Sequence, residues 1–259
     1  LAGCGAVVHL AGRVHVMADS GKAASALYRS VNVEATERLA RMAASAGVRR
    51  FVFISTVKVL GERSGDRPLN DADAPAPEDA YAISKFQAEQ MLFEVASETG
   101  LEVVVLRPTL VYGPAVKANF LAMMEYLARG WPLPLGALTN KRTFCYLGNL
   151  NDAILTSLEH PHAPGRRFLV GDAETLILPA FIRLMGRTLG RSASLVPVPV
   201  SLLALAGSLL GKQAQLRRLL DSLEINISGI QNTLGWHPPW SIETGLEETA
   251  RWFRGRDAK

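Results

Sequence analysis

Cysteine is nearly absent from this sequence of 259 residues, with Cys4 and Cys145 as its two examples. They lie far apart and outside any paired spacing. A disulfide framework and a cysteine-based zinc site are therefore excluded, no metal is expected, and a reducing cytoplasm fits best. Long apolar runs are also missing. The most apolar stretch, Leu195 to Leu210, is interrupted by Pro197, Pro199 and Gly207 and is too short to span a bilayer, so it reads as a strand followed by a buried or lid-like helix. No signal peptide and no membrane partner are expected. Charge of one sign is not gathered into a run: the net charge is +4 and the pI near 9.2, with Lys and Arg scattered, which argues against a nucleic-acid footprint. Internal repeats and low-complexity segments are absent. So is a glycine-rich phosphate loop, because Ala2-Gly-Cys-Gly5 lacks both the Gly-x-Gly-x-x-Gly spacing and a preceding strand.

What is present is a globular composition, 48% hydrophobic, in a chain long enough to bury a full core. Ala6-Val-Val-His-Leu-Ala11 reads as a short buried strand, and the stretch from about Ala23 to Gly47 as one long helix. Arg50 to Ser55 reads as a second buried strand, about Tyr81 to Thr99 as a helix ended by Gly100, and Leu101 to Leu106 as a third strand. Alternating strands and helices imply an α/β fold with a parallel sheet. Residues 57–80, rich in Gly, Pro and charge, read as a long functional loop. Beyond Pro114 the pattern loosens into a smaller lobe, with a strand around Arg167 to Val170 and helices near Leu176 to Leu189 and Ile242 to Phe253.

Tyr81 and Lys85 are four residues apart at the start of a helix, so both side chains project from one face. A nearby ammonium favours the ionised phenol, and the pair is expected to lower the Tyr81 pKa from its usual value near 10 toward a useful range. The spacing alone also fits a tyrosine packed on a lysine stem. The preceding strand adds context, since it ends in Ser55-Thr56, and the C-terminal ends of parallel strands are where α/β sites form. Ser and Thr at such an end can equally bond their own backbone.

Five segments in order carry a resemblance: His9-Leu-Ala-Gly12, Asn32-Val-Glu-Ala-Thr36, Phe53-Ile-Ser-Thr56, Tyr81-Ala-Ile-Ser-Lys85 and Arg107-Pro-Thr-Leu-Val-Tyr-Gly-Pro114. Together they resemble the extended short-chain dehydrogenases/reductases of the NAD-dependent epimerase/dehydratase family. Through Val57 to Glu62, Lys117 to Phe120 and Leu234 to Pro239 the chain is most similar to bacterial sugar-nucleotide 4-epimerases and 4-keto-reductases of polysaccharide biosynthesis. The resemblance implies a Rossmann-like, doubly wound parallel sheet with a smaller C-terminal substrate lobe. Residues 1–115 would form a partial NAD(P)-binding domain, and 116–259 mostly a substrate-binding lobe with some segments returning to the sheet.

It also implies roles. Tyr81 would be the acid/base at a sugar hydroxyl, Lys85 its pKa modifier and a ligand of the nicotinamide ribose, and Thr56 a partner in the hydrogen bond. Leu10, Ala11, Gly12, Ile54 and Ser55 would line the cofactor, with Pro108 and Leu110 beside the nicotinamide and Asn32 supporting the catalytic helix. His9 would line the cofactor too, unless it is simply a packed strand-end histidine. Asn119 and Phe120 would meet a nucleotide diphosphate, and Arg142 would bind a phosphate through its fork of donors, although Asn140-Lys-Arg142 also fits a solvated turn. Arg217 or Arg218 would be a further diphosphate ligand, although either taken singly also fits a solvated helix face, and Lys58 would be solvated or near the substrate. The implied cofactor is NAD, or alternatively NADP, and the implied substrate a nucleotide sugar, UDP-linked. A homodimer would form through helices matching about Ala23 to Gly47 and Tyr81 to Thr99.

Val57 and Lys58 stand where dehydratases of the family carry an acidic pair, and no glutamate stands there as in decarboxylating relatives. Oxidation and reduction at one carbon, with or without epimerisation, is the expected chemistry. The family's glycine-rich loop would precede Leu1 by this reading. About 60 residues are expected there, two strand-helix-strand units of roughly 30 each with overlap. Residues 1–259 by themselves are then expected to bind the nicotinamide cofactor poorly and to expose one edge of the sheet. Alternatives are a hydroxysteroid or dihydroflavonol-type reductase, and a non-catalytic relative.

Overall fold

The computed structural model describes residues 1–14, 22–209 and 219–256. Four strands, β1 (Ala6–His9), β2 (Arg50–Ile54), β3 (Glu102–Pro108) and, from much later in the chain, Arg167–Val170, form one fully parallel sheet in that spatial order. Helices α1 (Lys22–Arg29) and α2 (Ala35–Ser45) connect β1 to β2, and α3 (Ala80–Thr99) connects β2 to β3.

The strands are hydrophobic at consecutive positions because both faces are covered. Phe51, Phe53, Val103 and Val105 face one way and pack on Ala40, Ala43, Ala88, Leu92 and Val95 of α2 and α3. Val52, Val104 and Leu106, one residue out of phase, face the other way, onto Leu150, Ala153 and Ile154. Gly100 ends α3 with φ +76°, a conformation that glycine adopts without penalty.

The long helix expected over Ala23 to Gly47 is interrupted. Ser30–Glu34 makes a π-helical turn, in which the Ala35 N–H reaches back five residues to the Ser30 carbonyl. The extra residue rotates Asn32 and Val33 into the interior, and such turns often mark functional sites. β1 is also shorter than expected, since residues 10–14 leave the sheet after His9.

A second unit is built on β4 (Leu110–Tyr112), β5 (Lys141–Tyr146) and, after the Arg167–Val170 strand (β6), β7 (Thr175–Ile177), in the order β4-β5-β7. β4 runs parallel to β5, and β7 antiparallel. Around it lie α4 (Ala118–Ala128), α6 (Leu178–Thr188) and a C-terminal helix, Ile242–Arg256, with a core of Tyr112, Phe120, Phe144, Phe181 and Leu246. Among the described residues lie also the helices α5 (Leu147–Glu159), α7 (Val200–Leu209) and α8 (Ser228–Leu234), and Ile242–Arg256 is α9. Leu195 forms a single bridge to Leu133 rather than a strand, and α7 is largely exposed, against the expectation of a buried helix.

Candidate active site

The site is assembled at the C-terminal ends of β1, β2 and β3. After β2 the chain turns through a 3-10 segment, Val57–Val59, whose N-cap is Thr56: the Thr56 hydroxyl accepts the Lys58 N–H at 3.3 Å. The helix carrying Tyr81 starts at a defined point because the Asp79 carboxylate caps it, accepting the Ala82 N–H at 2.8 Å. Lys58 Nζ joins the two ends, pairing with Asp79 and with Glu62, the latter at 2.7 Å. Lys58 is thus ion-paired at the site and keeps a quarter of its side chain exposed. It is held between two carboxylates that tie the turn after Thr56 to the cap of α3.

Asn32 performs the corresponding task on the other side. Its amide oxygen accepts the Arg13 N–H at 2.7 Å, and its amide nitrogen donates to the Arg13 carbonyl at 3.0 Å and to Ser84 Oγ at 2.9 Å. Ser84 Oγ donates in turn to the Tyr81 carbonyl at 2.7 Å. The segment after β1 is thereby fastened to the first turn of α3. Gly12 lies in this contact, and a Cβ there would meet Asn32 Oδ1 at 3.2 Å and Lys85 Nζ at 3.7 Å. The close approach explains a residue without a side chain at this position.

Lys85 is almost fully buried, with its ammonium 4.0 Å from the centre of the Phe53 ring. Among the described residues it meets no hydrogen-bond acceptor, and burial lowers its pKa to about 8, partly opposed by the charge of Glu89. The Tyr81 pKa is raised to about 12, first by burial and then by the negative charge of Asp79 and the nearby Tyr28 phenol. The expected downward shift is not found: the charges that act on the phenol are negative, and removal from water is the largest cause. Tyr81 holds its proton at neutral pH.

Of the other residues expected to line a cofactor, Leu10, Ala11 and Gly12 are exposed, as is Leu110. Ile54 ends β2, and Pro108 ends β3. The Ser55 hydroxyl is turned away, donating at 2.5 Å to buried Glu89, so only its main chain is available to a ligand. His9 is packed: it shares a 2.8 Å hydrogen bond with Thr36, stacks on Phe53, and has its pKa lowered to about 4 by burial and by Lys85.

In the second unit Asn119 is exposed at the start of α4, whereas the ring of Phe120 is buried and stacked on Tyr112. Arg142 belongs to β5, not to a solvated turn. It donates to the Asp221 carbonyl at 3.1 Å, while its Nε is buried with no hydrogen-bond partner, as is Asn140 Oδ1. Arg217 and Arg218 lie outside the described residues.

Sequence reading did not single out Glu89 or Arg107 as a pair. Glu89 is fully buried and accepts two bonds from Arg107, at 3.0 and 2.6 Å, besides that from Ser55. A buried Glu on a helix and a buried Arg on a strand are each anomalous in an apolar pattern, and that anomaly is the available signal.

Among the described residues two features fit the nicotinamide end of a cofactor. Thr109, between Pro108 and Leu110, has a buried hydroxyl without a partner, and Lys85 is a buried cation without an acceptor.

The family described as NAD dependent epimerase/dehydratase matches residues 1–171. The chain is 42% identical over 249 residues to a UDP-glucose 4-epimerase of Vibrio cholerae, covering 95% of this chain and 76% of that protein. A UDP-glucuronic acid 4-epimerase of Bacillus cereus, crystallised with NAD, superposes with a TM-score of 0.76 at 21% identity, covering 97% of this chain and 74% of the other. RMD of Pseudomonas aeruginosa, crystallised with NADPH, gives 0.77 at 22% identity, covering 97% and 82%. The chain belongs to the NAD dependent epimerase/dehydratase family.

Proposed function

We propose that this protein is a nucleotide-sugar epimerase, acting on a UDP-linked sugar with NAD, or NADP, as cofactor. The observation that carries the reading is that Tyr81 and Lys85 lie one turn apart at the start of α3 and Thr56 just beyond the C-terminal end of β2, with Lys85 buried and, among the described residues, without an acceptor. Identity of 42% to a UDP-glucose 4-epimerase supports the substrate class.

Tyr81 gives a proton to, and takes one from, the sugar oxygen, and Thr56 shares the hydrogen bond. Lys85 holds the ribose hydroxyls and supplies the charge that favours the phenolate when Tyr81 acts as base. The cofactor, when bound, takes up and returns hydrogen at one sugar carbon. Leu10, Ala11, Gly12, Ile54, the Ser55 main chain, Pro108 and Leu110 line it, and Asn32 holds the segment that covers it. The buried Nε of Arg142 without a partner suits a phosphate oxygen, and exposed Asn119 stands as a second contact.

Residues 1–115 serve the cofactor and residues 116–259 the substrate, with β6 returning to the first sheet. Exposed Leu27, Val31, Met42 and Ile83 on the first helical stretch and on α3 supply an apolar face for a homodimer. The cytoplasm and a polysaccharide pathway are the setting.

The test is incubation with UDP-glucose or UDP-N-acetylglucosamine and NAD, with the C4 epimer followed by NMR. Tyr81→Phe is expected to lower the rate by about 10²–10⁴-fold, the usual contribution of a positioned acid/base. Equal rates in the two proteins would overturn the roles, and stoichiometric oxidation of NADH in a separate incubation with a UDP-4-keto sugar and NADH would make the enzyme a 4-keto-reductase.

A further inference from the structure

Helix α7 is apolar over nearly its whole circumference and is left in solvent. Leu202, Leu205 and Leu209 are 56%, 57% and 80% exposed, and their spacing of three and four residues puts them on one face. Leu203 points the other way and packs on the second core. Val200, which opens the helix, is exposed, as is Val196 ahead of it, and the Val196 N–H donates to the Leu133 carbonyl at 2.8 Å, which brings it beside the segment carrying half-exposed Trp131. The Arg129 guanidinium lies 5.2 Å over the Trp131 ring.

The sequence leading into and through α7 carries charge of one sign. Residues 175–209 contain no Asp or Glu, but carry Arg183, Arg187 and Arg191. Arg183 and Arg187 are exposed one turn apart on α6, and among the described residues neither has a carboxylate partner. Two copies of such a surface would repel each other at their basic flanks, whereas an anionic lipid surface complements both the charge and the leucines. A ten-residue helix is about 15 Å long, half of the roughly 30 Å of a bilayer core, so it suits lying on a membrane and not crossing one. Among the described residues no helix is long and apolar enough to cross a membrane.

We propose that α7, with Val196 and Trp131 beside it, docks this protein reversibly on the surface of an anionic membrane. The leucines enter the headgroup boundary and the arginines face the lipid phosphates. The inference stands on this surface alone and is independent of the active-site reading.

Co-sedimentation of the whole chain with vesicles tests it. Binding is expected to vesicles of phosphatidylcholine mixed with phosphatidylglycerol, to weaken with added salt, and to be poor with phosphatidylcholine alone. A Leu202→Gln/Leu205→Gln/Leu209→Gln variant is expected to lose at least about tenfold in partitioning, since each buried leucine contributes severalfold, with an unchanged circular dichroism spectrum. Should that variant fail to fold, Arg183→Glu/Arg187→Glu provides a second reading on exposed residues and is expected to weaken binding to the mixed vesicles severalfold. A wild-type chain left in the supernatant with mixed vesicles would overturn the proposal. So would leucine and arginine variants that bind like wild type, or a leucine variant that changes oligomeric state in gel filtration while its vesicle binding is unaltered.

Discussion

Asn32 donates to Ser84 Oγ at 2.9 Å across 52 residues of sequence, and this contact sets the helix of Tyr81 and Lys85 against the segment that carries Gly12. Replacing Asn32 by Leu leaves the Arg13 main-chain groups without the partners Asn32 gives them. A loss of about 1–3 kcal/mol in stability is expected, with a fall in turnover at saturating substrate, checked by urea unfolding and steady-state rates.

Lys85 gives a pH signature. Its pKa is lowered in the folded state from 10.5 to about 8, so between those values the unfolded chain binds more protons and stability rises with pH. Below about pH 8 the charged form is present in both states and its burial cost is fully felt. Lys85→Met is therefore expected to be the more stable protein at pH 7, by an order of magnitude of 2–3 kcal/mol, and to lose that advantage by pH 10–11, while being inactive throughout. Thermal unfolding of both proteins across pH 6 to 11 checks this.

Glu89 and Arg107 form a buried ion pair at 2.6 Å, with side chains 0% and 2% exposed. Glu89→Gln leaves a buried guanidinium without its counter-charge and is expected to cost about 3–5 kcal/mol. The denaturation midpoint in urea is the readout, and a shift of less than about 1 kcal/mol would show the pair to be well hydrated after all.

Arg142→Lys keeps the charge and removes the planar fork. The KM for a nucleotide diphosphate sugar is expected to rise at least about tenfold with kcat little changed, because a phosphate contact made equally in ground and transition states affects binding alone. Initial rates over a range of substrate concentrations separate the two constants.

The second strand and the helix of Tyr81 were legible because their information is local. Arg50 to Ile54 and Ala80 to Thr99 form as the hydrophobic period, the Asp79 cap and Gly100 dictate. Less local features were not. The π-helical turn at Ser30–Glu34 adds one residue to a helix, which periodicity alone does not register, and β4, β5 and β7 are short strands whose pairing partners lie dozens of residues away.

By itself the sequence determined the alternation of strands and helices, the juxtaposition of Tyr81 with Lys85 one helical turn apart, and the family. All three follow from spacing along the chain. Tertiary structure alone decided that Lys58 is bound between Glu62 and Asp79, that the Ser55 hydroxyl serves Glu89, and that the Tyr81 pKa is raised and the Lys85 pKa lowered. The physical reason is that a charge responds to the solvent it has lost and to neighbours brought in by folding, and neither is written in the spacing of residues along a helix.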